Sequence, residues 1–166
     1  GWVGEYLNPT AVGTDSVSFI ENITLYGDVD YVVRGDTQDN ILITQGGDDR
    51  LYGGDGDDIL KSGSGDDYVY GEAGNDILVL KGSGNQSFNG GSDNDTLEID
   101  HSDWTTMPAG FVGEANLADG WVGEHLNSTK DGTDTVDLVE NITLYGDVDY
   151  VVRGDTQDNV LITKGG

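Results

Sequence analysis

Gly53-Gly-Asp-Gly-Asp-Asp-Ile-Leu-Lys61, Ser62-Gly-Ser-Gly-Asp-Asp-Tyr-Val-Tyr70 and Gly71-Glu-Ala-Gly-Asn-Asp-Ile-Leu-Val79 follow one another without a break. Half of each nine-residue phrase is loop chemistry and half is strand chemistry. The loop half is rich in glycine, which supplies positive φ and lets other atoms approach the backbone closely. The strand half turns one apolar residue inward and its two neighbours outward, as a pleat requires. Working outward, the inward residues recur as Val33, Leu42, Leu51, Leu60, Val69, Leu78, Phe88 and Leu97. Their spacing is nine except once, where Leu80 adds a residue that a bulge or a longer strand must absorb.

Strands joined by fixed Gly-Asp loops of this size do not form hairpins. The economical solution is a solenoid, in which two phrases make one coil and parallel strands stack about 4.8 Å apart. Every second loop then falls on the same edge. The sixth residue of each phrase is the principal candidate ligand: Asn40, Asp49, Asp58, Asp67, Asp76, Gln86 and Asp95. One edge pairs Asn40 with Asp58, Asp58 with Asp76 and Asp76 with Asp95. The other pairs Asp49 with Asp67 and Asp67 with Gln86. Carboxylates about 5 Å apart repel by about 3 kcal/mol at an effective dielectric of 20, so a cation is needed between them. Carboxylate and carbonyl oxygens without His or Cys suit a hard ion, and ligands drawn largely from flexible backbone favour calcium over magnesium. Ordinary solvated Gly-Asp turns would not require an unbroken register. The expected class is all-β, a parallel β-roll or β-solenoid with stacked calcium-binding Gly-Asp loops.

The rest of the composition agrees with a cation-dependent chain. The 166 residues carry 32 acidic and 7 basic side chains, a net charge of −25. Nucleic acid and anionic membrane are poor partners for that charge. So acidic a chain repels itself and favours disorder until cations bind. With no cysteine, disulfide staples and thiolate zinc sites are excluded. His101 and His125 stand in no metal-ligand spacing. No stretch is long enough to cross a membrane as an apolar helix, and no membrane insertion is expected. The chain opens at Gly1-Trp2 with no initiator Met or signal peptide and stops inside a repeat phrase, so it is expected to be an excerpt of a longer polypeptide.

A second, larger repeat surrounds the first. Residues 1–47 recur at 120–166 with 10 differences in 47 aligned positions, a period of 120 − 1 = 119 residues. This divides the chain into a strand-rich start (1–34), the nonapeptide roll (35–98), irregular connecting rungs (99–119) and the start of the next unit (120–166). Phe111-Val-Gly-Glu114 and Trp121-Val-Gly-Glu124, ten residues apart, read as a pair of irregular rungs. Beyond them Val136, Leu138, Ile142 and Leu144 are the expected inward positions. Only Met107-Pro108 clearly interrupts, and no long helix is expected.

The nonapeptides of residues 35–98 resemble the RTX, or haemolysin-type, calcium-binding repeat family. Residues 139–146 and 20–27 resemble a strand motif found beside such repeats. The resemblance implies a right-handed parallel β-roll, calcium in the Gly-Asp loops, folding after export and type I secretion. It also implies carboxylate ligands at Asp49, Asp58, Asp67, Asp76 and Asp95, with carbonyls near Gly54, Gly56, Gly63, Gly65 and Gly74. Asn40 and Gly47 complete the candidate set. Asn40 and Asn159 replace the acid, Gln86 replaces it in 81–89, and Asp93 replaces a loop glycine, so sites using these positions should be weak or absent.

The expected function is that of a calcium-stabilised structural unit in a long extracellular or cell-surface protein, such as a surface layer, sheath, matrix fibre or adhesin stalk. The alternative is a non-catalytic module of a secreted lyase, epimerase or protease. Expected partners are calcium ions and neighbouring copies of the same repeat. Extracellular polysaccharide is a further candidate, because Trp2, Trp104 and Trp121 could stack on sugars, although packing is the favoured reading for them. No catalytic constellation is expected, because the carboxylates are periodic and no acid–base pair stands apart.

Overall fold

The computed structural model describes residues 2–5, 21–102, 111–126 and 129–165. Its first strands are β1 (Trp2–Glu5), β2 (Asn22–Thr24), β3 (Tyr31–Arg34), β4 (Ile41–Ile43) and β5 (Arg50–Asp55). Next come β6 (Ile59–Lys61), β7 (Tyr68–Ala73), β8 (Ile77–Leu80), β9 (Ser87–Ser92) and β10 (Thr96–Asp100). Then follow β11 (Phe111–Asn116), β12 (Trp121–Leu126), β13 (Thr129–Asp137), β14 (Asn141–Tyr145), β15 (Tyr150–Arg153) and β16 (Val160–Lys164).

The fold is all-β, and two sheets face each other across one core. Strands alternate between them along the nonapeptide stretch. One sheet runs β16-β14-β10-β8-β6-β4-β2, and the other runs β1-β3-β5-β7-β9-β13-β12-β11-β15. All pairings in the seven-stranded sheet are parallel. The chain therefore climbs as a β-solenoid of about six turns.

The core is a stack of inward rungs. Leu42, Leu60, Leu78 and Leu97 stand in register in one sheet. Val33, Leu51, Val69, Phe88 and Val136 do so in the other. The eight inward residues of the nonapeptide stretch are 0–1% exposed. Burying each one contributes about 1.5–3 kcal/mol relative to leaving it in water. Leu80 is absorbed by lengthening β8: it is buried and pairs with Ile99 of β10.

Two expectations are corrected. Phe111–Asn116 and Trp121–Leu126 are not further rungs. They pair antiparallel, with β12 also antiparallel to β13, so β11, β12 and β13 form a meander inserted between β9 and β15. Asp119-Gly120 lies in the hairpin loop, a signal for such a connection. Leu138 is not an inward residue. It follows β13 with φ +50 and is 55% exposed, because the chain turns there towards β14. Val136, Ile142 and Leu144 are buried as expected.

Equal sequences give equal pairings where their neighbours match. Asn22 pairs with Ile41, and 119 residues later Asn141 pairs with Val160, both in parallel. The edges of β3 and β15 differ: β3 meets β1 antiparallel, whereas β15 meets β11 in parallel. Residues 6–20, the region of Met107-Pro108, and Trp104 fall outside the described residues, as do parts of the expected segments 1–34 and 99–119.

Candidate metal centre

The loops that join the two sheets carry the site. Two residue types decide their geometry: glycine at the crowded positions and Asp at the end of each loop. The Asp side chains form a ladder on each edge. On one edge the Asn40 N–H donates to Asp58 Oδ1, Asp58 N–H to Asp76 Oδ1 and Asp76 N–H to Asp95 Oδ1, at 2.7–2.8 Å. On the other, Tyr31 N–H donates to Asp49 Oδ1 and Asp49 N–H to Asp67 Oδ1, both at 2.8 Å. Each carboxylate thus holds down the loop one coil earlier. The same-edge partners are those that the two-phrase coil predicts.

The second oxygen is the informative one. Asp49, Asp58, Asp67, Asp76 and Asp95 are 0–1% exposed, and the Oδ2 of each is buried without a hydrogen-bond partner. An orphaned buried carboxylate oxygen carries a desolvation penalty of more than about 1–3 kcal/mol. Five in register is not a tolerable defect for a domain whose whole stability is about 5–15 kcal/mol.

The glycines shape the space around these oxygens. A Cβ on Gly53 would strike Asp58 Oδ2 and the Gly71 carbonyl oxygen, and one on Gly71 would strike Asp76 Oδ2 and the Gly90 carbonyl oxygen. A free carboxylate oxygen and a carbonyl oxygen therefore converge on the same face of each glycine. Gly54, Gly56, Gly63, Gly65 and Gly74, candidates from the sequence, all take positive φ, as does Gly47. Gly74 lies against the carbonyl of Gly56, and Gly65 against that of Gly47, so these carbonyls point from coil to coil. The first glycine of the phrase, at Gly53, Gly71 and Gly90, is an addition to the sequence-derived set. Its signal was a missing Cβ rather than a polar side chain.

The electrostatics repeat the same conclusion. Burial pushes the Asp58 and Asp95 carboxyls up to about 7, and the Asp76 carboxylate adds to both. Burial likewise raises Asp49 and Asp76 to about 6, and it raises Asp67. Against an ordinary value of 3.8, the ionised form of each of these carboxyls is disfavoured by its burial. A divalent cation reverses that sign.

Calcium fits these residues. Each Asp-bearing loop offers one free carboxylate oxygen and main-chain oxygens beside it, a hard donor set without nitrogen or sulfur. Among the described residues no group of three or more His, Cys, Asp or Glu side chains converges, so the main chain must supply the remaining ligands. When bound, the ion supplies charge neutralisation and nothing redox.

The departures have structural counterparts. Asn40 keeps its amide oxygen against Gly35 and the Gly53 carbonyl, where Asp58 places Oδ2 one coil on. That oxygen also accepts the Asp36 N–H, and the Asn40 Nδ2 is left unpartnered. Gln86 goes further: its Nε2 donates to the Gly65 carbonyl at 3.1 Å, so an amide satisfies an oxygen assigned to calcium. Asp93 keeps the positive φ of the glycine it replaces, at +84. Asn159 is half-buried, donating to the Glu140 carbonyl and the Asp155 carboxylate.

Two features were missed in the sequence. An outer ladder runs the opposite way through the fifth loop residue: Asp48 N–H donates to Asp30, Asp57 to Asp39, Asp66 to Asp48 and Asn75 to Asp57. The inner ladder also continues past the nonapeptides, because Gln86 N–H donates to Asp134 Oδ1 at 2.7 Å. The signal was present in Gly132-Thr-Asp134-Thr-Val136, which matches Gly56-Asp-Asp58-Ile-Leu60 in its Gly, Asp and inward positions.

The family model of the RTX calcium-binding nonapeptide repeat, with four copies, matches residues 32–60, 52–80 and 82–98. No curated protein matches the chain.

Proposed function

We propose, from the match of the RTX calcium-binding nonapeptide repeat to residues 32–60, 52–80 and 82–98, that the chain is a structural unit of a long extracellular protein, folded and stiffened by calcium. The observation that carries the reading is the row of buried, unpartnered Oδ2 atoms from Asp49 to Asp95. Each of these carboxylates already fastens a neighbouring loop through its other oxygen, so its role is to hold coils together rather than to transfer protons. Sites with one or two charges and many neutral oxygens bind calcium weakly, in the range suited to calcium outside the cell. Type I secretion fits that setting.

The 119-residue repeat supports an array over a lone module. Strand β16 presents Val160, Leu161 and Ile162 at 40–56% exposure, whereas Leu42, the counterpart of Leu161, is fully buried under β6. The same surface is therefore covered when another coil follows. Electron microscopy of the native protein, with calcium and with chelator, tests this. Elongated fibres or sheets that lose order on chelation are expected. Compact particles indifferent to calcium would overturn the array reading and favour an accessory module of a secreted enzyme.

A further inference from the structure

The nonapeptide match ends at residue 98, yet the last of its carboxylates is not finished by nonapeptide residues. Asp95 is 0% exposed, and its Oδ2 has no hydrogen-bond partner. In the two preceding coils of that edge, the free carboxylate oxygen converges with a glycine carbonyl: Asp58 with Gly71, and Asp76 with Gly90. At the next coil the order of the chain changes but the geometry does not. A Cβ on Gly90 would strike Asp95 Oδ2 and the main-chain carbonyl oxygen of Leu138. The Asp95 N–H donates to Glu140 Oε2 at 2.8 Å, the place that Asp95 itself fills for Asp76. Leu138 and Glu140 thus replace a glycine and an aspartate from 43 and 45 residues further along.

Leu138 is held in an unusual state to do so. Its φ is +50, while its side chain is 55% exposed. Left-handed backbone is disfavoured for a non-glycine residue. The exposed side chain gains little by it, whereas the carbonyl is brought beside Asp95.

We propose that Asp95, the Leu138 carbonyl and Glu140 form a divalent-cation site of the calcium class that clips one 119-residue unit to the next. The proposal rests on the calcium reading of the coils and extends it to residues outside the nonapeptide motif. Glu140 lies in the second copy, at the position that Glu21 holds in the first, 140 − 21 = 119 residues earlier. Asp95 lies in the first. The clip therefore joins the rigid roll to β14, and through it to β16, across the inserted meander. Leu138 and Glu140 also line an open cavity of about 660 Å³ with Asp119, Asp137, Asp155 and Asp158. Its acidic wall draws cations towards the site.

The test uses the full chain, calcium itself as the probe, and two readouts: calcium bound per chain by equilibrium dialysis, and amide hydrogen exchange. Glu140→Gln removes the charge and keeps the shape. It should bind one ion fewer, or bind that ion roughly tenfold or more weakly, given one fewer ligand charge. Calcium should still protect 59–61 in this variant and should no longer protect 141–145. Leu138→Gly keeps the carbonyl and tolerates the positive φ, so it should hold the full number of ions. An unchanged ion count in Glu140→Gln, with 141–145 still protected by calcium, would overturn the clip, as would loss of the ion in Leu138→Gly. Absence of any calcium effect on 59–61 in the unsubstituted chain would instead defeat the calcium reading of the coils.

Discussion

A single atom, the free Oδ2 of each ladder aspartate, carries most of the chemistry. Gln86 shows what happens where it is absent. Its amide donates to the Gly65 carbonyl, a polar hydrogen where the proposed reading would otherwise put a cation. Gln86→Asp should therefore add one calcium ion per chain in calorimetric titration, and it should make the metal-free chain less stable. An unchanged ion count would refute the substitution argument. Asp76→Ala removes both the bond to Asp58 N–H and the orphan oxygen. It should cost the ions at two adjoining coils, whereas Gln86→Ala should cost none. Gly53→Ala places a methyl group on Asp58 Oδ2 and the Gly71 carbonyl. Overpacking of this kind costs about 1–3 kcal/mol, and here it should also abolish calcium binding at that coil, which the same titration measures. These positions were legible in the sequence to different degrees. The aspartates announced themselves by period and charge. Gly53, Gly71 and Gly90 act by leaving space, which no side-chain chemistry reveals.

Among the elements, the period of nine placed one inward residue in each strand from β3 to β10, Val33 to Leu97, because only alternation in register can fill so narrow a core; the further buried residues Tyr31 and Ile99 lie outside that series. Leu80 was visible as an extra residue, but its accommodation depended on Ile99, its partner in the neighbouring strand. The meander was harder to read. Phe111-Val-Gly-Glu114 and Trp121-Val-Gly-Glu124 look like successive rungs because they are similar, yet similar strands separated by an Asp-Gly loop also make a hairpin, which is what forms. Leu138 was assigned inward by alternation from Val136, which holds only while the strand stays extended; its φ of +50 breaks the alternation. Leu78→Ala, in the middle of the roll, should lower stability by about 2–5 kcal/mol in saturating calcium, because neighbouring coils cannot collapse into the void. Thermal unfolding checks this. Leu138→Ala, at an exposed turn, should change it by less than about 0.5 kcal/mol.

For the whole molecule, the proposed function ties folding to cations and protons together. Burial raises Asp49 and Asp76 from 3.8 to about 6 and Asp58 and Asp95 to about 7, and it raises Asp67, so the metal-free folded chain binds more protons than the unfolded one between those values. Metal-free stability should therefore be fully present below about pH 4 as far as these groups are concerned. It should be lost as pH rises through 6 and 7. Calcium affinity should follow the opposite course, falling as pH drops from 7 to 5, because protons compete for the same oxygens. Titration of the calcium midpoint at several pH values tests both signs. The net charge of −25, ladder carboxylates included, adds general repulsion that bound calcium would also relieve.

The central claim is that binding free energy here is folding free energy. Far-UV circular dichroism of the full chain at neutral pH, first in excess chelator and then through a calcium titration, tests it most directly. A largely disordered spectrum is expected in chelator, with a cooperative gain of β structure as calcium reaches the millimolar range, about 10⁻³ M. A fully formed β spectrum in excess chelator, unchanged by added calcium, would contradict it.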